Sequence, residues 1–173
     1  MRVMFLLAAT ALAGGCGGEP EKAKAPERPQ AMQAGQWQST SEVTNFRQAD
    51  QGRPRLNMPI GTRGSAAACV EAADVTRPPE ELFVGSDFED CAWGENFYMR
   101  NGRLISSMTC QRDGVGNVEV TVSVDFTPNS YEGTVEFVTR LPTDGDVIVA
   151  ARSRGTRAGE CPVAGGGNES QPR

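Results

Sequence analysis

Histidine is absent from the 173-residue sequence, and its only two lysines, Lys22 and Lys24, lie near the amino terminus. Without histidine the chain cannot form a Ser-His-Asp or Cys-His arrangement, and it lacks the commonest general base and metal ligand. The lack of lysine beyond position 24 also excludes a Schiff base or a Ser-Lys pair in the rest of the chain. These absences predict a protein that is not an enzyme and that holds no metal.

Phosphate-binding motifs and an excess of positive charge are also missing. Neither a G-x-x-x-x-G-K loop nor a G-x-G-x-x-G loop occurs. The formal net charge is -5, whereas nucleic-acid binding requires a basic surface. The sequence has no uninterrupted apolar run long enough for a membrane-spanning helix. We therefore expect no cofactor and no nucleic-acid partner.

The first sixteen residues have the organisation of a bacterial export signal. A positively charged start is followed by an apolar run over residues 3–12 and by small residues ahead of Cys16. This resembles the lipoprotein box, in which the cysteine is lipidated, although Ala13 stands where that box usually has leucine. We interpret residues 1–15 as a signal peptide and Cys16 as the lipidation site. Ordinary secretion, with Cys16 left as a free thiol, is the alternative.

The segments that follow differ in composition. An aspartate directly after the lipidated cysteine resembles an inner-membrane retention signal. This sequence has Gly17 at that position, so we expect a periplasm-facing anchor in the outer membrane. Residues 16–33 are polar and rich in proline and alanine, which predicts a lipidated cysteine with a flexible tether. Residues 34–161 form the predicted domain. Residues 162–173 are glycine-rich and are predicted to be a disordered tail.

Alternating apolar and polar residues predict an antiparallel sheet in the second half of the chain. Valines alternate with polar residues over Val118–Phe126, and Pro128-Asn129 then favours a turn. A hairpin centred on that turn places apolar positions opposite one another, and a slip by one residue would place valines opposite glutamate and threonine. The predicted pairs are 126 with 131, 124 with 133, 122 with 135 and 120 with 137.

Further turn signals extend this pattern into a meander. Asn101-Gly102 is a strong hairpin turn that opposes Met99 to Leu104 and Trp93 to Cys110. Residues 113–117 and Asp144-Gly145 provide two more turns, and residues 36–46 add an earlier strand. Residues 66–73 and 78–83 are candidates for short helices. The predicted fold is mainly β: an antiparallel β-meander in a strongly bent sheet or half-barrel with one or two short helices.

Four cysteines remain when Cys16 is set aside, which suits two disulfides in an oxidising compartment. Three pairings are possible. The Asn101-Gly102 hairpin places Cys91 diagonally near Cys110, so we favour that pair, which leaves Cys69 with Cys161. A four-thiolate zinc site is the rival interpretation, but the cysteines have no C-x2-C spacing.

Several short motifs together resemble one bacterial family. They are Gly35-Gln36-Trp37, Cys69, Cys91, Cys110, Tyr131-Glu132-Gly133 and Cys161. This pattern is similar to the domain of unknown function 3617 (DUF3617) family, whose members are exported proteobacterial proteins and often lipoproteins. The resemblance covers residues 34–161. It implies no activity, and it therefore supplies no catalytic residue.

Three groups of side chains are candidates for function. The acidic group Asp87, Glu89 and Asp90 is interpreted as a solvated loop. The basic group Arg152, Arg154 and Arg157 is interpreted as an exposed strand face, with contact to an anionic ligand or lipid headgroup as the alternative. The third group consists of aromatic residues that would line a concave, ligand-binding face: Trp37, Trp93, Phe97, Phe126, Tyr131 and Phe137.

These observations predict a lipid-anchored envelope protein that acts by binding an apolar ligand or a protein partner. A structural or stress-related envelope lipoprotein without a small ligand is the alternative. A hydrolase that uses only carboxylates is a remote third possibility.

Overall fold

The computed structural model describes residues 27–162. The predicted signal peptide, Cys16, the first part of the predicted tether and residues 163–173 lie outside the described residues. Within residues 27–162, no helix has both the length and the apolar character needed to cross a membrane. The elements are β1 (Gly35–Gln48), β2 (Arg63–Val70), α1 (Glu81–Val84), β3 (Glu89–Trp93), β4 (Tyr98–Arg100), β5 (Arg103–Arg112), β6 (Gly116–Phe126), β7 (Ser130–Thr139) and β8 (Val147–Gly159).

The strands form one antiparallel sheet with the order β2-β1-β8-β7-β6-β5-β3, and β4 also pairs with β5. Strands β5 to β8 are neighbours in both sequence and space, which is a meander. The sheet curls strongly into a half-barrel, with one short helix, α1, in the described range. The predicted fold class is therefore confirmed.

The hairpin of β6 and β7 has the predicted register. Phe126 pairs with Tyr131, Val122 with Val135, and Val120 with Phe137. The alternate valines of β6 are buried because they all face the concave side of the sheet. The turn at Pro128-Asn129 and the valine alternation thus agree, and together they fix the pairing.

The alanine-rich segment corrects one prediction. Residues 66–73 were predicted as a short helix, but the chain from Arg63 to Val70 is strand β2. Its backbone pairs with β1 from Glu42 to Gly35, and this long-range pairing outweighs the weak local helix preference of alanine. The second helix candidate, residues 78–83, contains the start of α1.

The register near β3 corrects another prediction. Met99 pairs with Leu104 as predicted, but Trp93 lies opposite Met108 instead of Cys110. The offset of two residues arises at Gly94–Phe97, where the chain leaves the ladder between β3 and β4. The expected register placed Cys91 diagonally across from Cys110. The offset instead brings Cys91 beside Cys110, with their Cα atoms 4.0 Å apart.

The end of the predicted tether is packed against the domain. Met32 is buried, and its N–H donates to the Val75 carbonyl at 2.9 Å. Gln33 donates to the carbonyl of Pro128, and Gly102 donates to that of Pro29. The packed part of the chain therefore begins before residue 34, because the tips of two hairpins offer partners to residues 29–33.

Candidate functional site

The six aromatic residues predicted for a ligand face belong to the core. Five of them are buried and Phe97 is partly buried. The ring centroids of Trp37 and Tyr131 are 6.4 Å apart, and those of Trp93 and Phe97 are 5.0 Å apart. These rings contact one another or other core side chains, so packing within the protein takes up the concave face that was expected to hold a ligand.

Helix α1 covers part of this face. Its residues Leu82 and Phe83 are buried, and the Phe83 ring lies 5.0 Å from that of Tyr131. The Tyr131 hydroxyl donates to the Leu82 carbonyl at 2.8 Å and lies 3.2 Å from the Ser153 hydroxyl. Burial raises the pKa of Tyr131 to about 12. The hydroxyl is therefore neutral at physiological pH and holds α1 on the sheet.

The four cysteines of the domain lie in the two predicted pairs. Cys69 and Cys161 are bonded across 92 residues, with their Cα atoms 5.5 Å apart. Cys91 and Cys110 are bonded across 19 residues, with their Cα atoms 4.0 Å apart. The first bond ties the end of β2 to the chain after β8, and the second ties β3 to β5.

The acidic group does not form a cluster of metal ligands. Asp87, Glu89 and Asp90 are exposed, and the Asp87 carboxylate lies 3.7 Å from the Arg112 guanidinium. Among residues 27–162, no three carboxylates bring oxygens within 4.8 Å of one another. These three acidic side chains are therefore part of a solvent-exposed segment.

The basic group lies partly on the convex face of the sheet. Arg152 and Arg154 are exposed there, and with Arg63 they line an open groove of about 420 Å³. Arg63 lies 3.1 Å from Glu42, and Arg154 is 3.0 Å from the Glu132 carboxylate. Opposite charges therefore interrupt the positive surface.

Arg157 differs from the other members of the basic group. Its guanidinium is mostly buried and donates to the Ala34 carbonyl at 2.7 Å. It also contacts Glu160. This arginine fixes the entry of the chain into β1.

A second groove runs beside β2, and β1 residues also line it: Gln38, Ser39, Thr40 and Ser41. The opposite bank is formed by residues 79–87, which include α1, and we call the space between them the β2 groove. Successive cavities of about 240, 550 and 270 Å³ follow the strand. Small side chains line the strand bank: Ser65, Ala66, Ala67 and Ala68. Sequence patterning does not predict this groove, because the local preference of the alanines that form it is for a helix.

The two edges of the sheet differ at the level of hydrogen bonds. At β3, the Trp93 N–H donates to the Glu80 carboxylate, and the Trp93 carbonyl accepts from Arg77, both at 3.3 Å. At β2, no loop of the described range makes a backbone hydrogen bond with residues 63–70. The β2 edge is therefore the one that keeps backbone groups available.

Comparison with known proteins adds one finding. The family model described as "Protein of unknown function (DUF3617)" matches residues 32–161. No curated protein and no solved structure matches the chain. The matched range includes all eight strands and the buried Met32. The chain therefore belongs to the DUF3617 family.

Proposed function

We propose that this protein is a lipid-anchored binding module of the cell envelope that acts on a protein partner and not by catalysis. Lipidation at Cys16 would hold it on the periplasmic face of the outer membrane. The small residues before Cys16 support the anchor. The two cysteine pairs support an oxidising compartment.

The contrast between the concave face and the β2 groove carries the proposal. An apolar ligand on the concave face would have to displace packed rings such as Trp37 and Tyr131. The β2 groove, by comparison, is open and offers backbone groups and small side chains. Such a surface suits a polypeptide better than a small apolar molecule.

Two measurements on the full chain in its own envelope test the proposal. Cys16→Ser should move the protein from the membrane to the soluble fraction and abolish incorporation of labelled palmitate. Gly17→Asp is the matched control, because it should keep the lipid and change only the membrane that is reached. If the wild-type protein were membrane-bound but did not incorporate labelled palmitate, the proposed lipid anchor would be contradicted.

The binding role is tested by chemical crosslinking in intact cells. We expect a discrete covalent complex with another envelope protein. A small apolar molecule that is released on denaturation in native mass spectrometry would favour the apolar-ligand alternative instead. If neither a protein nor a small molecule is found, the structural role replaces this proposal.

A further inference from the structure

We propose that the β2 groove binds an extended, basic segment of a partner protein, which adds to the sheet as a strand beside β2. This inference rests on the proposed binding function and names its site and the chemistry of the partner. It goes beyond that function because a partner can also bind elsewhere on the domain. Three features of the groove support it: backbone orientation, small side chains and charge.

The backbone of β2 presents free groups on alternate residues. Val43 of β1 exchanges hydrogen bonds with Thr62 and Gly61, at 2.8 and 2.9 Å, so its polar groups point toward the β2 side. Two and four residues earlier, Ser41 and Ser39 point the same way. They pair with Gly64 and Ala66. The intervening residues of β2 therefore direct their N–H and C=O groups away from β1: Ser65, Ala67 and Cys69.

The position of Gly85 agrees with this assignment, because it faces the outward carbonyl oxygen of Ser65. Gly85 therefore covers this end of the edge, and the part left for a new strand is Ala67 to Cys69. Elsewhere along the edge, these groups have no backbone partner among the described loops. An extended segment satisfies such groups in the way that a neighbouring strand does, and edges of this kind are common sites of strand addition.

The side chains of β2 permit a close approach. A neighbouring strand lies about 4.8 Å away, and the serine and alanine side chains of residues 65–68 project little into that space. The wider part of the groove, about 550 Å³, lies between Ala66 and Ser86. Pro79 provides an apolar contact on the opposite bank.

The charges favour a basic segment over a second copy of this chain. Glu81 and Asp87 line the opposite bank, and Glu71 follows β2. Glu81 has no salt-bridge partner within residues 27–162, whereas Asp87 is engaged by Arg112 and Arg63 by Glu42. Two copies joined at β2 would bring two acidic banks together, but a lysine or arginine of a partner would face Glu81 favourably.

The experiment places a photoreactive phenylalanine derivative in the full chain in cells, either in place of Ser86 in the groove or in place of Thr121 on the convex face. Mass spectrometry then identifies the crosslinked peptide. Ala67→Pro removes one outward N–H and leaves the pairing with β1 intact. Ala67→Thr is the matched control, because it keeps that N–H. Ser65→Pro is the second blocking variant should Ala67→Pro fail to fold.

We expect the probe at position 86 to capture a basic, extended segment of another protein. Ala67→Pro should weaken capture about tenfold, since a backbone hydrogen bond is lost and a carbonyl remains unpaired. Ala67→Thr should leave capture within about twofold of the wild type, and Glu81→Lys should reduce it.

Other outcomes overturn the inference in different ways. Capture only at position 121 would keep the binding function and refute the groove as its site. Capture of a second copy, or of residues 163–173 of the same chain, would refute the proposed occupant. Capture at position 86 that Ala67→Pro leaves unchanged would refute strand addition. Capture at neither position, together with no complex in chemical crosslinking, would refute both proposals.

Discussion

The two edges of the sheet solve the same physical problem differently. Strand β3 is short, is interrupted by a bulge after Glu89, and uses Arg77 and Glu80 to satisfy the backbone of Trp93. Strand β2 has eight residues in regular register. Within residues 27–162, no side chain bonds to its outward backbone groups. One edge is closed by the protein itself, while the other keeps its pairing capacity.

An exposed, regular edge favours unwanted association, and proteins usually shorten, bulge or charge such edges. The β3 edge shows these devices. The β2 edge has small side chains and acidic groups on the opposite bank, which restrict the groove without closing it. The difference indicates that the openness of β2 is a property of this edge and not of the sheet as a whole.

The largest expected effect on stability comes from the disulfides that hold the two edges. The variant Cys69→Ala/Cys161→Ala opens a loop of 92 residues and Cys91→Ala/Cys110→Ala opens one of 19. Chain entropy predicts losses of roughly 4.6 and 3.2 kcal/mol in the free energy of unfolding. Urea unfolding of both double variants measures the difference. Because Cys110 is buried, Cys110→Ala compared with wild type under reducing conditions gives the packing contribution.

Equal losses from the two disulfides would show that loop length does not govern their stabilisation. A larger loss from the Cys91 pair, after correction for packing, would make the β3 edge the one that depends more on its covalent bond.

The next effect concerns the aromatic contacts of the closed edge. Trp93→Ala removes contacts with Phe83 and Phe97 and leaves the Pro78 carbonyl without its indole donor. We expect a loss of about 3–5 kcal/mol in urea unfolding. Ala68→Gly on the open edge should cost only about 0.5–1 kcal/mol. Similar costs at the two positions would contradict the view that the closed edge depends more on packing.

Alkaline pH should weaken the attachment of α1 to the sheet, because the Tyr131 hydroxyl that holds it becomes ionised. The folded-state pKa of Tyr131, about 12, lies above the unfolded value of 10.0. The neutral hydroxyl therefore stabilises the fold fully below pH 10, and this contribution is lost as the pH rises through 12, by roughly 2–3 kcal/mol. Stability of the wild type and of Tyr131→Phe, measured from pH 9 to 12, should converge over this range. A constant difference would refute the assignment.

The smallest expected loss of stability comes from removing the hydrogen bond between the Trp93 N–H and the Glu80 carboxylate at the β3 edge. Glu80→Ala leaves the Trp93 N–H without its acceptor, and we expect a loss of about 1–3 kcal/mol. Glu81→Ala, the adjacent exposed carboxylate, should change stability by less than about 0.5 kcal/mol. Thermal unfolding of the two variants provides the comparison, and a larger effect at Glu81 would contradict the role given to Glu80.

The parts of the fold that the sequence predicts well are those with a local, repeated signal. The valines of β6 and the turn at Pro128-Asn129 define a register that the structure reproduces. Likewise, Met99 pairs with Leu104 because Asn101-Gly102 connects them directly. In both hairpins the residues that pair are close in sequence, so the turn determines their partners.

The β2 groove lacks a signal of this kind. Whether the alanines of β2 form a strand depends on β1, whose paired residues precede them by more than 20 positions. Local propensity does not include that partner. The irregular stretch Gly94–Phe97 similarly displaces Trp93 by two residues without a recognisable motif. The aromatics predicted for a ligand face are buried or partly buried, and the packing of Trp93 and Tyr131 with Phe83 of α1 depends on the tertiary fold.

The pairing of the first and last strands has a further consequence for the connectivity of the domain. Gln36 lies opposite Gly159, and Arg157 bonds to the Ala34 carbonyl. A short linker between these ends therefore permits a circular permutant that opens at the Asp113-Gly114 turn and retains every strand pair. An anchor attached to the new ends would hold the domain from the opposite end of the sheet. Its orientation above a surface thus becomes a variable that can be changed without altering the fold.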